Sequence, residues 1–218
     1  IPMIELATKV ILGEKLKDLG YGTGVYKNPK LIAVKVPVFS TEKMDGIEIS
    51  LGPEMKSTGE VLGIGETYEE AVYKGLMAAN RNYLEGEKRV LVTLNDNDKE
   101  EFLPLAERLI KQNYELFATE GTHKFLLKNN IKSEIVNKIS DESPNILDKL
   151  KNREIDILIN TPTKANDSQR DGFKIRRTAV EYGIEVLTSL DTLNAILGIL
   201  EKELHKKEIK IYEMNGEY

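Results

Sequence analysis

Ile155-Asp156-Ile157-Leu158-Ile159-Asn160 is the strongest strand signal in the chain, and the elements on either side of it decide the fold. Before it, Arg89–Leu94 reads as a compact apolar strand, Glu115–Ala118 as a second and Ile135–Lys138 as a short third. Between them the spacing predicts a helix over Lys99–Gln112, with Leu103, Ala106, Leu109 and Ile110 on one face, and another over Thr122–Asn130. Pro104 is tolerated best in a first turn, which leaves the start of the earlier helix open. Ile146–Asn152 reads as a short helix leading into the hexapeptide. After it come a helix over Ile175–Tyr182, a strand over Glu185–Leu187 and a helix over Leu190–Leu204. His205–Glu208 reads as a solvated charge run and Ile209–Glu213 as a final edge strand. Strands alternating with helices predict an α/β domain: a parallel sheet in three layers, Rossmann-like.

Residues 1–87 read differently. Met3–Leu19 has the spacing of a helix with a wide apolar face, ended by Gly20. Leu31–Phe39 alternates and reads as a strand. Gly46–Gly65 looks turn-prone around a short apolar run, Val61–Ile64. Thr67 is placed to cap a helix over Tyr68–Asn80, with Glu70 completing a capping box. These pieces bury little unless they dock on something else, so an α+β fragment with a missing neighbour is expected, followed by a complete domain over 88–218.

Composition narrows the chemistry. The 218 residues contain no Cys and two His, with a formal charge of −5. That excludes a disulfide scaffold, a thiolate zinc site and a thiol nucleophile. The acidic balance argues against nucleic acid as a partner. No apolar run approaches the roughly 20 residues needed to span a bilayer. No signal segment opens the chain, so no membrane partner and a cytoplasmic location are expected. Ile1-Pro2 reads as the start of an excised piece.

Open α/β sheets bind ligands beyond the carboxyl ends of their strands. Thr93, Asn95, Asp96 and Lys99 follow the first strand of the C-terminal domain. Thr119-Glu120-Gly121-Thr122 follows the second and opens a helix. Lys138 stands at the third, and Asn160 and Thr161 end the fourth. Hydroxyls, an amide and two ammonium groups beside free backbone N–H groups suit an oxyanion, a phosphate or a carboxylate. Singly, Thr119 and Thr122 read equally well as helix caps, Lys99 and Lys138 read more readily as solvated lysines, and Asn160 as a simple turn residue. Their convergence on one rim favours function. His123 has no evident partner and reads as a surface residue. Asp96, Asp98, Glu100 and Glu101 read as helix-start charges. No nucleophile elbow or phosphate-loop motif is present, so binding is expected and catalysis is not.

Leu51-Gly-Pro-Glu-Met-Lys-Ser-Thr-Gly-Glu-Val61, the helix Thr67–Asn80 and Arg170-Asp-Gly-Phe-Lys-Ile-Arg-Arg177 together resemble the C-terminal end of the large subunit of carbamoyl-phosphate synthase. Ser189-Leu-Asp-Thr192 adds weaker support. The resemblance implies that residues 1–87 are the tail of the second ATP-grasp unit and that 88–218 are the methylglyoxal-synthase-like regulatory domain. It implies a ligase that makes carbamoyl phosphate from bicarbonate, ammonia and two ATP, for arginine and pyrimidine synthesis. The ATP site, with its Mg or Mn, would lie upstream of Ile1, leaving no cofactor in this segment. The implied partners are the upstream large-subunit domains, the small glutamine-hydrolysing subunit and a nucleotide effector, UMP or IMP. Self-association into a homo-oligomer is the rival role.

The family's effector pocket falls on Thr93, Lys99, Thr119, Thr122, Lys138, Asn160 and Thr161. Members that sense N-acetylglutamate carry an aromatic residue at the position of Lys138, so the lysine favours a phosphate-bearing effector. Pro162 and Gly172 stand where some nucleotide-binding members have hydroxyls, and the loop Thr163–Arg170 differs in length. Methylglyoxal synthase itself needs a Gly-Gly-Asp loop and a histidine after the fourth strand. Ser140–Asn145 and Thr163–Gly172 provide neither.

Overall fold

The computed structural model describes residues 1–22, 24–25, 27–39, 57–81, 83, 89–162 and 171–212. They fall into two compact units, one over Ile1–Lys30 and one beginning at Leu31.

In the first unit, helix α1 (Met3–Ile11) carries one buried side chain, Leu6. The apolar face predicted over Met3–Leu19 is present, but the helix is shorter. Gly13, at φ 103°, takes the left-handed conformation that ends it, and a separate 3₁₀ turn follows at Leu16–Asp18. Met3, Ile4, Ile11 and Leu12 are 69%, 84%, 83% and 79% exposed.

The second unit opens with an antiparallel pair. Strand β1 (Ile32–Val38) runs against β2 (Gly59–Gly65), with Ile32 opposite Gly65 and Val38 opposite Gly59. The stretch read as a turn-prone loop therefore ends in a seven-residue strand. Residues 46–56 lie outside the described residues. Helix α2 (Tyr68–Ala78) covers the pair, and Thr67 caps it by accepting the Glu70 backbone N–H at 3.3 Å. The carboxylate of Glu70 accepts the Glu66 N–H, one residue beyond the Thr67 N–H that a reciprocal box would use. The approach is close because the facing residues lack side chains. A Cβ added at Gly63 would lie 2.0 Å from the Ala71 carbonyl, and one at Gly75 would lie 2.6 Å from a Val36 methyl.

Five parallel strands follow: β3 (Arg89–Thr93), β4 (Glu115–Thr119), β5 (Glu134–Val136), β6 (Ile157–Asn160) and β7 (Glu185–Leu187). Their order in the sheet is β5-β4-β3-β6-β7. The helices between and after them are α3 (Lys99–Lys111), α4 (Glu120–Lys128), α5 (Ile146–Lys151), α6 (Asp171–Glu181) and α7 (Leu190–Glu201).

Alternate residues of each strand face opposite sides. Val90, Val92, Leu116, Ala118, Ile157 and Ile159 pack towards α3 and α7. Leu91, Phe117 and Leu158 pack towards α5 and α6. This is the expected three-layer α/β domain. Val72, Leu76 and Tyr83 join the first of these cores, so the neighbour that α2 requires is this chain's own α7.

Several boundaries and contacts differ from expectation. The buried face of α3 is Phe102, Leu105, Ala106 and Leu109, while Ile110 is exposed. Pro104 stands inside the helix. Helix α6 begins four residues before the predicted Ile175. Residues 209–212 form no strand. Instead Lys210 pairs with Glu66 at 3.1 Å, and the Tyr212 hydroxyl donates to the same carboxylate. His205 is half-buried, in a 3₁₀ turn at Leu204–Lys206, whereas Lys206, Lys207 and Glu208 are exposed as the charge run predicts. His123 has a partner, its Nδ1 lying 2.9 Å from the Ser133 hydroxyl.

Candidate functional site

The chain winds outward from β3 to β4 and β5, then returns to build β6 and β7 on the other side of β3. The winding therefore reverses between β3 and β6, where an open sheet leaves a crevice beyond its carboxyl ends. The last residues of those two strands, Thr93 and Asn160, are register partners.

The structure joins them directly. The Asn160 amide Nδ2 donates to the Thr93 hydroxyl. Thr161 closes the same corner: its hydroxyl accepts the Asn95 N–H at 2.9 Å, and its own N–H bonds the Thr93 carbonyl at 3.3 Å. Asn160 is buried as the final residue of a fully buried strand, and it is not a turn residue.

Lys99 opens α3 after a 3₁₀ turn over Asp96–Asp98. Its side chain is 15% exposed and lies 2.6 Å from the Asp96 carboxylate, whose own side chain is 88% exposed. The hydrogen bond from Lys99 holds the Asp96 carboxyl below its ordinary value. Across the sheet edge the ammonium lies 3.8 Å from the position a Cβ would take at Gly121, in the first turn of α4. A residue read singly as a solvated lysine is thus held against the helix start.

Thr119 is the N-cap of α4 by position, but its side chain makes no capping hydrogen bond. Thr122, one turn in, is 2% exposed. Lys138 follows β5 and is exposed. Its charge still reaches α4: the Glu120 carboxyl is held low first by the hydrogen bond from Lys124 and also by Lys138. The Lys138 N–H is fixed by Asp141 at 2.8 Å. The seven residues thus form two groups. Thr93, Asn160 and Thr161 are hydrogen-bonded together, and Lys99, Thr119, Thr122 and Lys138 surround the start of α4.

Sequence reasoning missed Arg176. It lies on α6, is 6% exposed, and donates from a guanidinium nitrogen to Asn160 Oδ1 at 2.5 Å. The same nitrogen lies 3.2 Å from the Cβ position of Gly172, so a larger residue there would press on the pair. The signal was available: Ile175, Arg176 and Ala179 fall on the buried side of α6, and an arginine among them needs a buried partner. The loop Thr163–Arg170 lies outside the described residues.

Two cationic side chains, the positive end of the α4 dipole and a corner of hydroxyls and amides make a rim able to hold an anion. Among the described residues no group of three or more His, Asp or Glu side chains converges to hold a metal ion. No described helix is long and apolar enough to cross a membrane.

The MGS-like domain family matches residues 101–188. A carbamoyl phosphate synthase large chain from Clostridium botulinum is 54% identical over 216 residues, covering 99% of this chain and 20% of its own length. One from Clostridium perfringens is 52% identical over 214 residues, with 98% and 20% covered. The chain thus spans about a fifth of the length of these relatives. Among solved structures, a methylglyoxal synthase from Elizabethkingia anophelis NUHP1 aligns with a TM-score of 0.42 at 19% identity, over 51% of this chain and 77% of that one. Residues 101–188 match the MGS-like domain family, and nearly the whole chain is similar to a fifth of the length of carbamoyl phosphate synthase large chains.

Proposed function

We propose that this chain is the effector-binding segment of a carbamoyl-phosphate synthase large subunit and that its rim takes a phosphate-bearing nucleotide such as UMP or IMP. The observation that carries this reading is the placement of Lys99. A mostly buried ammonium faces Gly121 in the first turn of α4, where the Thr119 hydroxyl is not used in capping. Lys138 adds a second charge from the neighbouring strand end. In this reading residues 1–87 are the tail of the second ATP-grasp unit and 88–218 the regulatory domain. Effector binding shifts the equilibrium of the attached synthetase unit, with a coupling of roughly 1–3 kcal/mol typical of such linkage.

The parent is then a cytoplasmic, glutamine-hydrolysing ligase for arginine and pyrimidine synthesis, working with a small glutaminase subunit. Its ATP and its Mg or Mn belong outside the described residues. Methylglyoxal synthase chemistry fits poorly: within Ser140–Asn145, which lacks the Gly-Gly-Asp pattern, the aspartate is Asp141, and it is engaged in fixing its own turn.

The test is thermal unfolding in a ligand panel of UMP, IMP, phosphoribosyl pyrophosphate and N-acetylglutamate at millimolar concentration. UMP or IMP is expected to raise the melting temperature, and Lys138→Ala to abolish the rise. Exposed Lys138 carries little of the fold, so the unliganded stability of that variant should stay within about 0.5 kcal/mol of the parent. No shift with any of the four would sink the reading. One observation favours a second role, self-association: the exposed apolar face of α1. A mass by light scattering that rises with concentration, together with no ligand response, would support that role instead.

A further inference from the structure

Resting on the effector-site reading, we infer that buried Arg176 is a positioning residue that sets the direction of the hydrogen bonds at the carboxyl ends of β3 and β6, leaving the Thr93 hydroxyl to donate its proton to the bound effector. The argument starts from what each group is able to do. A guanidinium only donates. An asparagine amide donates at one end and accepts at the other, and unaided it could point either way. Arg176 donates to Asn160 Oδ1 at 2.5 Å, so the carbonyl end must face the arginine. The Nδ2 end then faces Thr93 and donates to its hydroxyl.

A threonine hydroxyl has one proton. With its oxygen already accepting from Asn160, that proton points elsewhere. Among the described residues Thr93 donates it to no one. Thr93 is half-buried at the end of β3, on the rim shared with Lys99 and Thr119. The chain of donation therefore runs from Arg176 through Asn160 and Thr93 towards an acceptor on the ligand. Arg176 contributes without touching that ligand, and its burial strengthens the polarisation it passes along. Gly172 belongs to the arrangement, because a Cβ there would crowd the guanidinium at 3.2 Å.

The test uses the full 218-residue chain, isothermal titration with UMP and IMP, and melting temperature measured alongside. Asn160→Asp is the decisive variant. Its carboxylate still pairs with Arg176, so the melting temperature should hold, but it only accepts, so Thr93 must turn its proton inward. Affinity is then expected to fall on the order of tenfold or more, as for a lost hydrogen bond to a charged acceptor. Thr93→Val and Arg176→Met should weaken binding likewise, while Arg176→Lys, which also only donates, should retain most of it. Because Arg176 acts through Thr93, the double variant should bind no more weakly than Thr93→Val alone. A purely structural arginine would lower the melting temperature and leave affinity below the melt unchanged. Parent-like affinity in Asn160→Asp, or Thr93→Val and Arg176→Met effects that multiply, would overturn the inference alone. A parent chain that binds neither nucleotide would overturn it together with the effector reading.

Discussion

Arg89 opens β3 at one end of the β3–β6 pair, and Arg176 lies beside the other end. At the first end the guanidinium meets Asp156 through Nε and Nη2, at 2.9 and 3.0 Å, and both carboxylate oxygens are engaged. The Arg89 backbone N–H adds a third bond to that carboxylate at 3.1 Å, and Nη2 also reaches the Arg153 carbonyl. This is a two-pronged ion pair that ties the strands together, with both carboxylate oxygens of Asp156 occupied by Arg89. At the other end Arg176 meets an amide, and the amide passes the bond on to a hydroxyl with a proton to spare. The same residue type closes one end of the strand pair and, in the proposed reading, keeps the other ready to bind. The difference lies in the partner: a carboxylate absorbs donation, whereas an amide relays it.

Three further measurements would break or sharpen that contrast. The largest effect should come from Leu158→Ala, midway between the two ends and fully buried. A truncation of this kind costs about 2–5 kcal/mol, read as the midpoint of chemical denaturation. Both ends should fail together, and a loss under 1 kcal/mol would mean that they do not share one support. Next, Asp156→Ala should cost about 1–3 kcal/mol by stranding Arg89, yet leave the melting shift with UMP or IMP intact. A lost ligand response in this variant would show that the closed end also serves the rim.

The smallest effect concerns a third arginine, Arg108 on α3, which holds Glu201 of α7 at 2.7 and 2.9 Å. The hydrogen bond from Arg108 keeps the Glu201 carboxyl below its ordinary value of 4.5. The unfolded chain therefore binds this proton more readily than the folded one. The contribution is complete above pH 4.5 and disappears as pH falls through the depressed folded value. Glu201→Gln should flatten the acid limb of a stability–pH curve slightly. An unchanged limb would mean that this pair, unlike Arg89–Asp156, fixes little.

The sheet was legible because each strand carries a short apolar run, β-branched in β3, β5 and β6, and the rim was legible because topology alone places strand ends together. Thr93, Asn160 and Thr161 proved to be bonded neighbours for that reason. Arg176 was not legible, because an arginine reads as a solvent-facing residue until a buried acceptor is placed beside it. The phase of α3 shifted because Phe102 and Leu105 compete with Leu103 and Ile110 at the same helical period, and only packing decides between them. His123 gained Ser133 through a turn that no local pattern announces. Strand β2 was hidden by its glycines, which ordinarily count against a strand.

Those glycines have a consequence for how this region can change over evolutionary time. Eleven of the sixteen in the chain occur by residue 86, and such enrichment first suggests looseness. Gly63 and Gly75 do the reverse, since a side chain at either would collide with backbone or with a packed Val36 methyl. The α2–β2 seam is therefore closed to single substitutions. Relatives can drift around these positions, but they can exchange them only by moving the helix itself, and with it the face that α2 shares with α7.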